Sequence, residues 1–390
     1  MIIGEFCDTF PPELDGVGRV TQAYCKTLTE MGHEVYYVAP KHPDAEPEDE
    51  YKTILSPSVK MPTELYTVAL PIVGSKYRRE IKEVPFEIVH AQSPFTAGME
   101  AARIAKKLKI PLVATFHSKY YDDALRKTHS ETLAKLVVKA IVDFYEKCDA
   151  VWTVNEGTKK VLEEYGYDGK ILVMENGTNI EKVDEKTLKK MEQRVGKKDG
   201  ELTLLFVGQH NYKKNLHGVL GAARILKEEG VKFKLVTAGE GPDFKKIVEE
   251  AEELGIASET KFLGFVADKS ELNALYKLSD LLVFPSLYDN APMVLREAAA
   301  QGTAGLLVKG SCSAEGLKDG ETALIAEDTS AKKIAEKILE RRTELKKIGE
   351  RAKKTIPVSW GEIMKKVVNE YEKLIEKKKK EQDFGLRFEI

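Results

Sequence analysis

Short apolar runs of strand length alternate with helix-length segments along the whole chain, and no tight hairpin signal separates them. Ile2–Phe6 reads as a first strand; a glycine-containing loop, a helix to Met31 and a stop at Gly32 follow. Residues 34–39, 86–90, 111–116, 150–154 and 171–174 are further strand candidates, with helical patterns such as 95–107 and 131–147 between them. Strands that do not turn back within two residues must be joined by crossovers, so the pattern predicts βαβ units and parallel sheets. Such crossovers are right-handed, and ligands bind beyond the carboxyl ends of the strands.

The alternation stops once. Residues 181–200 are strongly charged with few apolar positions and read as a surface helix plus a linker. The pattern restarts with 202–208, 232–238, 260–263, 281–285 and Ala304–Val308. A chain of 390 residues exceeds what one hydrophobic core usually organises. Two α/β, Rossmann-like domains facing a cleft are therefore expected, 1–180 and 201–359, joined by the linker 181–200. A last amphipathic helix, about 360–383, carries Ile363, Val367, Val368, Tyr371, Leu374 and Ile375 on one face.

Composition narrows the function. Lys and Arg number 61 against 63 Asp and Glu, which argues against a dedicated nucleic-acid binder. Cys7, Cys25, Cys148 and Cys312 lie far apart without metal-ligand spacing, so neither a disulfide framework nor structural zinc is expected, and a cytoplasmic location fits. No signal peptide is expected, and no run approaches the roughly 18 apolar residues of a membrane span.

The most informative stretch runs from Phe284 to Thr303: a strand end, an acid at Asp289, a turn, then a helix whose first residues are Pro292 and Met293. Proline suits a helix start, where its missing N–H would have been unpaired anyway. The free amides and positive dipole of such a start suit phosphate. Glu297, about one turn deeper, can accept hydrogen bonds from ribose hydroxyls, and Asp289 from sugar hydroxyls. Lys214 would ordinarily be a solvated surface lysine; its position after the strand-ending Gly208 favours a phosphate role. Glu297 would ordinarily be an exposed helix acid, but Val294, Leu295, Ala298 and Ala299 surround it in sequence. His117 follows an apolar strand and is either a core histidine or a polar group at a strand's carboxyl end. Gly16 and Gly18 are either turn glycines or backbone that must approach a diphosphate closely.

Two acids eight positions apart across this turn, followed by small residues and Gly302-Thr303, resemble the donor-site signature of retaining GT-B glycosyltransferases, family 4. Similar runs follow in the family's order: Gly16-Val17-Gly18, residues 89–93, 115–118 and 175–179, then 206–209 to Lys214, and 238–242. The set Gly208-Gln209, Lys214-Asn215 and 289–292, with 115–123, resembles a bacterial branch assigned as diacylglycerol α-glucosyltransferases. Three positions depart from the family pattern. Asp289 stands where Glu is usual, Gln209 replaces an Arg, and Pro292 stands where Gly is general. Lys213 or His210 would share the phosphate load in place of the missing arginine.

The resemblance implies a GT-B fold with the last helix crossing back onto an acceptor-binding first domain and a donor-binding second domain. It implies a nucleotide-sugar donor, UDP-glucose, held by Gly16, Gly18, Gln209, Lys214, Gly241, Asp289, Met293, Val294 and Glu297. Catalytic roles fall to His117, Lys214 and Asp289, with retention through a front-face route in which the donor's β-phosphate takes the acceptor proton. No cofactor and no metal are implied; Asp122-Asp123 and residues 48–50 read as loop acids without a second ligand set. The acceptor is expected to be a hydroxyl, and the resemblance to the bacterial branch implies that of diacylglycerol or another lipid. A soluble sugar acceptor, an epimerase or phosphorylase on the same fold, and a nucleotide-sugar-binding protein without turnover stay open as alternatives. A dinucleotide oxidoreductase is disfavoured because no Gly-x-Gly-x-x-Gly follows the first strand.

Charge is polarised within the first domain. Residues 52–147 carry 16 basic and 10 acidic side chains, whereas residues 1–50 carry 3 and 11. Lys76, Arg78, Arg79, Arg103, Lys109, Arg126 and Lys127 supply cations, with Tyr120, Tyr121, Leu133, Leu136 and Val137 as apolar neighbours. These are either ordinary polar helix faces or a reversible docking surface for anionic membrane.

Overall fold

A computed structural model of the chain describes residues 1–12, 15–45, 49–60, 67–71 and 74–386; Glu48, of the acidic run 48–50, lies outside them. The chain divides into two compact units, Met1–Asn176 with Trp360–Ile390, and Gly177–Ser359.

The first unit contains β1 (Ile2–Phe6), β2 (Glu34–Pro40), β3 (Lys52–Ser56), β4 (Ser58–Lys60), β5 (Thr67–Ala69), β6 (Ile88–Ala91), β7 (Leu112–Phe116), β8 (Ala150–Thr153) and β9 (Ile171–Val173). Its helices to this point are α1 (Gly16–Glu30), α2 (Ser75–Glu83), α3 (Thr96–Leu108), α4 (Tyr120–Thr128), α5 (Glu131–Tyr145) and α6 (Glu156–Glu164). Apart from the antiparallel β4–β5 pair, the strands form one parallel sheet in the order β3-β2-β1-β6-β7-β8-β9. Chain direction across the sheet reverses at β1, which pairs with β2 on one side and β6 on the other. Strands such as Leu112–Phe116 are buried at every residue, which is why they read as unbroken apolar runs.

Gly16 and Gly18 were expected in a loop; they lie instead in the first turn of α1. Asp15 caps that helix by accepting from the Gly18 amide at 2.8 Å, so the helix begins before the glycines end. Asp122 and Asp123, expected in a loop, occupy the first turn of α4, where acids complement the helix dipole, and Asp123 pairs with Arg126 at 2.8 Å.

The second unit contains α7 (Glu185–Val195), β10 (Leu202–Val207), α8 (Leu216–Glu228), β11 (Phe233–Ala238), α9 (Phe244–Glu253), β12 (Thr260–Phe262), α10 (Lys269–Leu278) and β13 (Leu281–Val283). It continues with α11 (Met293–Ala300), β14 (Ala304–Val308), β15 (Leu324–Ala326), α12 (Ala331–Arg341) and α13 (Leu345–Thr355). Its parallel sheet runs β12-β11-β10-β13-β14-β15, a doubly wound order whose reversal lies between β10 and β13. Ligands in such sheets sit at the carboxyl ends of the strands beside that reversal. The backbone crosses tightly there: a Cβ on Gly239 would stand 2.0 Å from the Gly208 carbonyl oxygen. Only glycine fits.

The expected linker belongs to this unit. Within 181–200, Asp184 caps α7, and Met191 and Val195 are buried in the second core. Lys190 and Arg194 pair with Glu271 of α10 at 2.6 and 3.0 Å. Two apolar positions four apart are enough to seat an otherwise charged helix.

The last helix, α14 (Trp360–Leu386), packs within the first unit. It buries Trp360, Ile363, Met364, Val367 and Tyr371. Trp360 meets Tyr24 of α1 edge-on at 5.9 Å, and Tyr371 stacks on Trp152 of β8 at 5.6 Å. Each such aromatic pair contributes about 0.5–1.5 kcal/mol beyond area burial.

Candidate active site

At the carboxyl end of β10 the chain passes Gly208, Gln209 and His210 into a short turn, Tyr212–Lys214, whose start is capped by Asn211. Asn215 adopts the left-handed conformation (φ 57°). Its side-chain amide donates to the Thr329 carbonyl at 2.8 Å and the Pro285 carbonyl at 3.4 Å. These bonds tie the loop after β10 to the loops after β13 and β15. Across that junction the Lys214 Nζ pairs with Asp289 Oδ1, while Asp289 Oδ2 accepts from the Ser286 hydroxyl at 2.6 Å. The two side chains keep 14% and 17% of their surface, so the pair is largely desolvated yet reachable from solvent. Phe284 and Tyr288 flank it, with ring centroids 5.9 and 5.5 Å from the ammonium. Two residues singled out for phosphate and for sugar are thus each other's counter-ion.

The helix beside them starts one residue later than expected. Pro292 (φ −64°, ψ 123°) is extended and occupies the N-cap, with α11 beginning at Met293. Its ring fixes φ but leaves ψ free, so proline serves the cap as well as the first turn. The Leu295 amide bonds to the Pro292 carbonyl at 3.2 Å, leaving Met293 and Val294 to head the helix. Pro292 has no side chain able to cap them. The first unit differs: its helix starts beside β1 carry carboxylates. Asp15 caps α1, and Asp8 accepts from the Thr96 hydroxyl and, at 3.0 Å, from the Ala97 amide at the start of α3. The first unit's reversal thus presents two carboxylates, whereas the second's presents a lysine and an uncapped helix start, the arrangement that favours an anion.

Glu297, one turn into α11, accepts from the Tyr276 hydroxyl of α10 at 2.7 Å. Tyr276 is fully buried and carries no sequence signal linking it to a position 21 residues downstream. Ser286 was also missed, although Ser-x-x-Asp is a spacing at which a hydroxyl meets a carboxylate locally. Tyr276→Phe keeps the packed ring and removes one hydrogen bond to Glu297. Nucleotide-sugar affinity should fall about tenfold with little change in melting temperature. Calorimetric titration measures the affinity and thermal denaturation the melting temperature, and unchanged affinity would separate Glu297 from the donor.

Gln209 is exposed and accepts from the Asn211 side chain at 3.1 Å. Gly241 packs against the protein itself: a Cβ there would stand 2.5 Å from the His210 carbonyl oxygen. His210 does not replace the missing arginine. It is buried among Phe206, Phe244 and Phe262, its Nε2 lies 3.0 Å from the Thr237 hydroxyl, and burial pulls its pKa down to about 4. Lys213 lies over the Tyr288 ring at 4.5 Å and remains the second cation on this loop.

His117, in the first unit, follows β7 and is buried, with Nε2 2.8 Å from Gln92 Oε1. Burial, aided by neighbouring His90, pulls its pKa to about 3, so the ring is neutral at working pH. Histidines 117 and 210 make the fold acid-sensitive. Unfolded, each binds a proton near the ordinary value of 6.5, which the folded protein refuses until about 3 and 4. Stability is therefore full above 6.5 and falls as the pH drops below it, by about 1.4 kcal/mol per pH unit for each ring. Urea midpoints at about pH 7 and pH 5 should show this loss, and His210→Gln should remove about half of the histidine contribution. No difference between wild type and His210→Gln would contradict the burial argument.

Comparison with known proteins agrees with the two-domain α/β fold. Residues 188–355 match the family described as Glycosyl transferases group 1, and residues 14–182 match Glycosyltransferase Family 4. An alpha-monoglucosyldiacylglycerol synthase of Streptococcus pneumoniae is 30% identical over 321 residues, covering 78% of this chain and 70% of the relative. A synthase of the same name from Acholeplasma laidlawii is 23% identical over 317 residues, covering 77% and 78%. Among solved structures, Anabaena HepE in complex with UDP and glucose superposes with a TM-score of 0.75 at 15% identity, covering 95% of this chain and 98% of that one. The chain belongs to the family 4, group 1 glycosyltransferases of GT-B fold, enzymes that move a sugar from a nucleotide-sugar donor to an acceptor.

Proposed function

We propose that this chain is a retaining, metal-independent glucosyltransferase that moves glucose from UDP-glucose to a hydroxyl of diacylglycerol or a related lipid. The carrying observation is the Lys214–Asp289 pair beside the uncapped start of α11. A donor diphosphate takes over Lys214 and the Met293 and Val294 amides, which frees Asp289 to accept hydrogen bonds from the sugar. Glu297 holds the ribose hydroxyls. As the bond from the anomeric carbon to the β-phosphate oxygen breaks, the lysine and the amides stabilise the growing negative charge. The acceptor oxygen attacks from the same face, and the β-phosphate takes its proton, so configuration is retained. Positive charge at the diphosphate comes from protein groups, and the nucleotide sugar is substrate, with no cofactor. His117 serves the transferred sugar as a neutral polar group.

The names of the synthases from S. pneumoniae and A. laidlawii support glucose and diacylglycerol, and UDP and glucose in HepE support the donor. Among the described residues no helix is long and apolar enough to cross a membrane, so a lipid acceptor requires peripheral contact. Helix α5 offers it: Leu133, Leu136, Val137 and Ala140 form an exposed stripe at helical spacing, beside Lys135 and Lys139. Both lysines pair with exposed acids four residues away, contacts that contribute little in water. Lys76, Arg78, Arg79 and Lys127 are exposed as well. Tyr120, first grouped with this surface, is buried between Phe95 and Phe116 and drops out of it. Each surface cation near an anionic bilayer contributes about 1 kcal/mol, which gives reversible, salt-sensitive binding at the inner face of the cell membrane.

Vesicle flotation tests the lipid half of this reading. The protein should float with anionic vesicles at low salt and be released at high salt. Absence of binding in both conditions, with good turnover on a water-soluble sugar, would leave a soluble-acceptor glycosyltransferase.

A further inference from the structure

Ser286 lies three residues past the end of β13 and has no exposed surface. Backbone bonds fix its place. The Phe284 amide donates to the Leu306 carbonyl of β14 at 2.9 Å, and the Pro285 carbonyl accepts from the Asn215 side chain at 3.4 Å. A serine hydroxyl has one hydrogen and two lone pairs. The amides of Tyr288 and Asp289 stand 3.2 and 3.4 Å from its oxygen, and an amide only donates, so both lone pairs face the turn. The hydrogen is left for Asp289 Oδ2, at 2.6 Å. A carboxylate gripped at Oδ2 is held against rotation about its last bond, which keeps Oδ1 at the edge where Lys214 meets it. Tyr276 grips Glu297 in the same way, with a hydroxyl from a residue that has no exposed surface.

We infer that Ser286 is a positioning residue: its hydroxyl keeps Asp289 aimed through Oδ1 when a donor's diphosphate draws Lys214 away. The inference rests on the roles proposed for Lys214 and Asp289, and deepens them by naming the group that holds the acid through the exchange. Asp289 keeps only 17% of its side-chain surface, so a carboxylate that loses the ammonium needs a donor that stays. The hydroxyl stays, because the two amides that orient it belong to the turn itself. A free nucleoside diphosphate also draws off the lysine, but it brings no sugar hydroxyl to Oδ1. Ser286 therefore favours the nucleotide sugar over the bare nucleotide, acting through Asp289 from a buried position.

The test is a double-mutant cycle, read by calorimetric titration of full-length protein with UDP and with UDP-glucose. Ser286→Ala should weaken UDP-glucose about tenfold and leave UDP within about threefold of wild type, because only the sugar is read through Asp289. Asp289→Ala should lower the preference for UDP-glucose over UDP about as far. Adding Ser286→Ala to it should change that preference by less than about twofold, since the hydroxyl then has nothing to hold. Equal loss of both ligands in Ser286→Ala would make the hydroxyl a brace for the loop and overturn the inference. A further drop of about tenfold in the double variant would do the same, by showing that Ser286 acts independently of Asp289. So would an unchanged preference in Ser286→Ala beside a lowered one in Asp289→Ala. An unchanged preference in Asp289→Ala would instead remove the sugar role of Asp289 itself, and the inference with it.

Discussion

Replacing Lys214 with alanine is expected to lower kcat/KM by about two to three orders of magnitude, roughly 2.7–4 kcal/mol of lost transition-state stabilisation. Its ammonium is the cation that meets Asp289 at the reversal of the second sheet, backed by two aromatic rings and beside the start of α11. Charge grows on the departing diphosphate during transfer, so the lysine acts more strongly in the transition state than in the ground state. Removing it also leaves Asp289 with Ser286 as a partner, which turns an uncompensated carboxylate toward the incoming diphosphate. Donor affinity should fall with turnover. Because the pair still touches solvent, folding should survive, and the melting temperature is the control. A variant that keeps near wild-type turnover would place the donor elsewhere.

His117→Ala should behave differently. The ring is neutral and buried, and it is already held by a hydrogen bond to Gln92 without donor. Turnover should fall by about a hundredfold with little change in the donor KM, the pattern of an interaction realised mainly in the transition state. Because the pKa is held near 3, the pH–rate profile of the wild type should show no step from His117 between about pH 5 and 8. A lower melting temperature with normal specific activity would make His117 an ordinary core histidine.

Most of the fold was legible because parallel strands buried on both faces leave unbroken apolar runs. What escaped was what lacks such runs. β3 (Lys52–Ser56) sits at a sheet edge with alternating exposure, and β15 (Leu324–Ala326) is three residues long. Lys214, Asp289 and Glu297 could be singled out because each follows a strand end or a helix start at a fixed local distance. Their partners could not. Tyr276 approaches Glu297 from another helix, and Tyr371 reaches Glu5 across 366 positions of sequence. Local chemistry misled at two points. Gly-x-Gly after a strand reads as a loop until Asp15 is seen to cap it, and His210 reads as a cation until its aromatic cage is seen. The charged stretch 181–200 read as a linker because the two side chains that anchor it, Met191 and Val195, are few among many charges.

The central claim, a glucosyltransferase that works through Lys214 without metal and with retention, meets one decisive measurement. Full-length protein is incubated with UDP-glucose, diacylglycerol in anionic vesicles and excess EDTA, and the lipid product is read by proton NMR. The account predicts UDP release matched by a glucosyl lipid whose anomeric proton shows the small coupling of an α-linkage, and loss of both with Lys214→Ala. A large diaxial coupling, or turnover only when a divalent cation is restored, would contradict it.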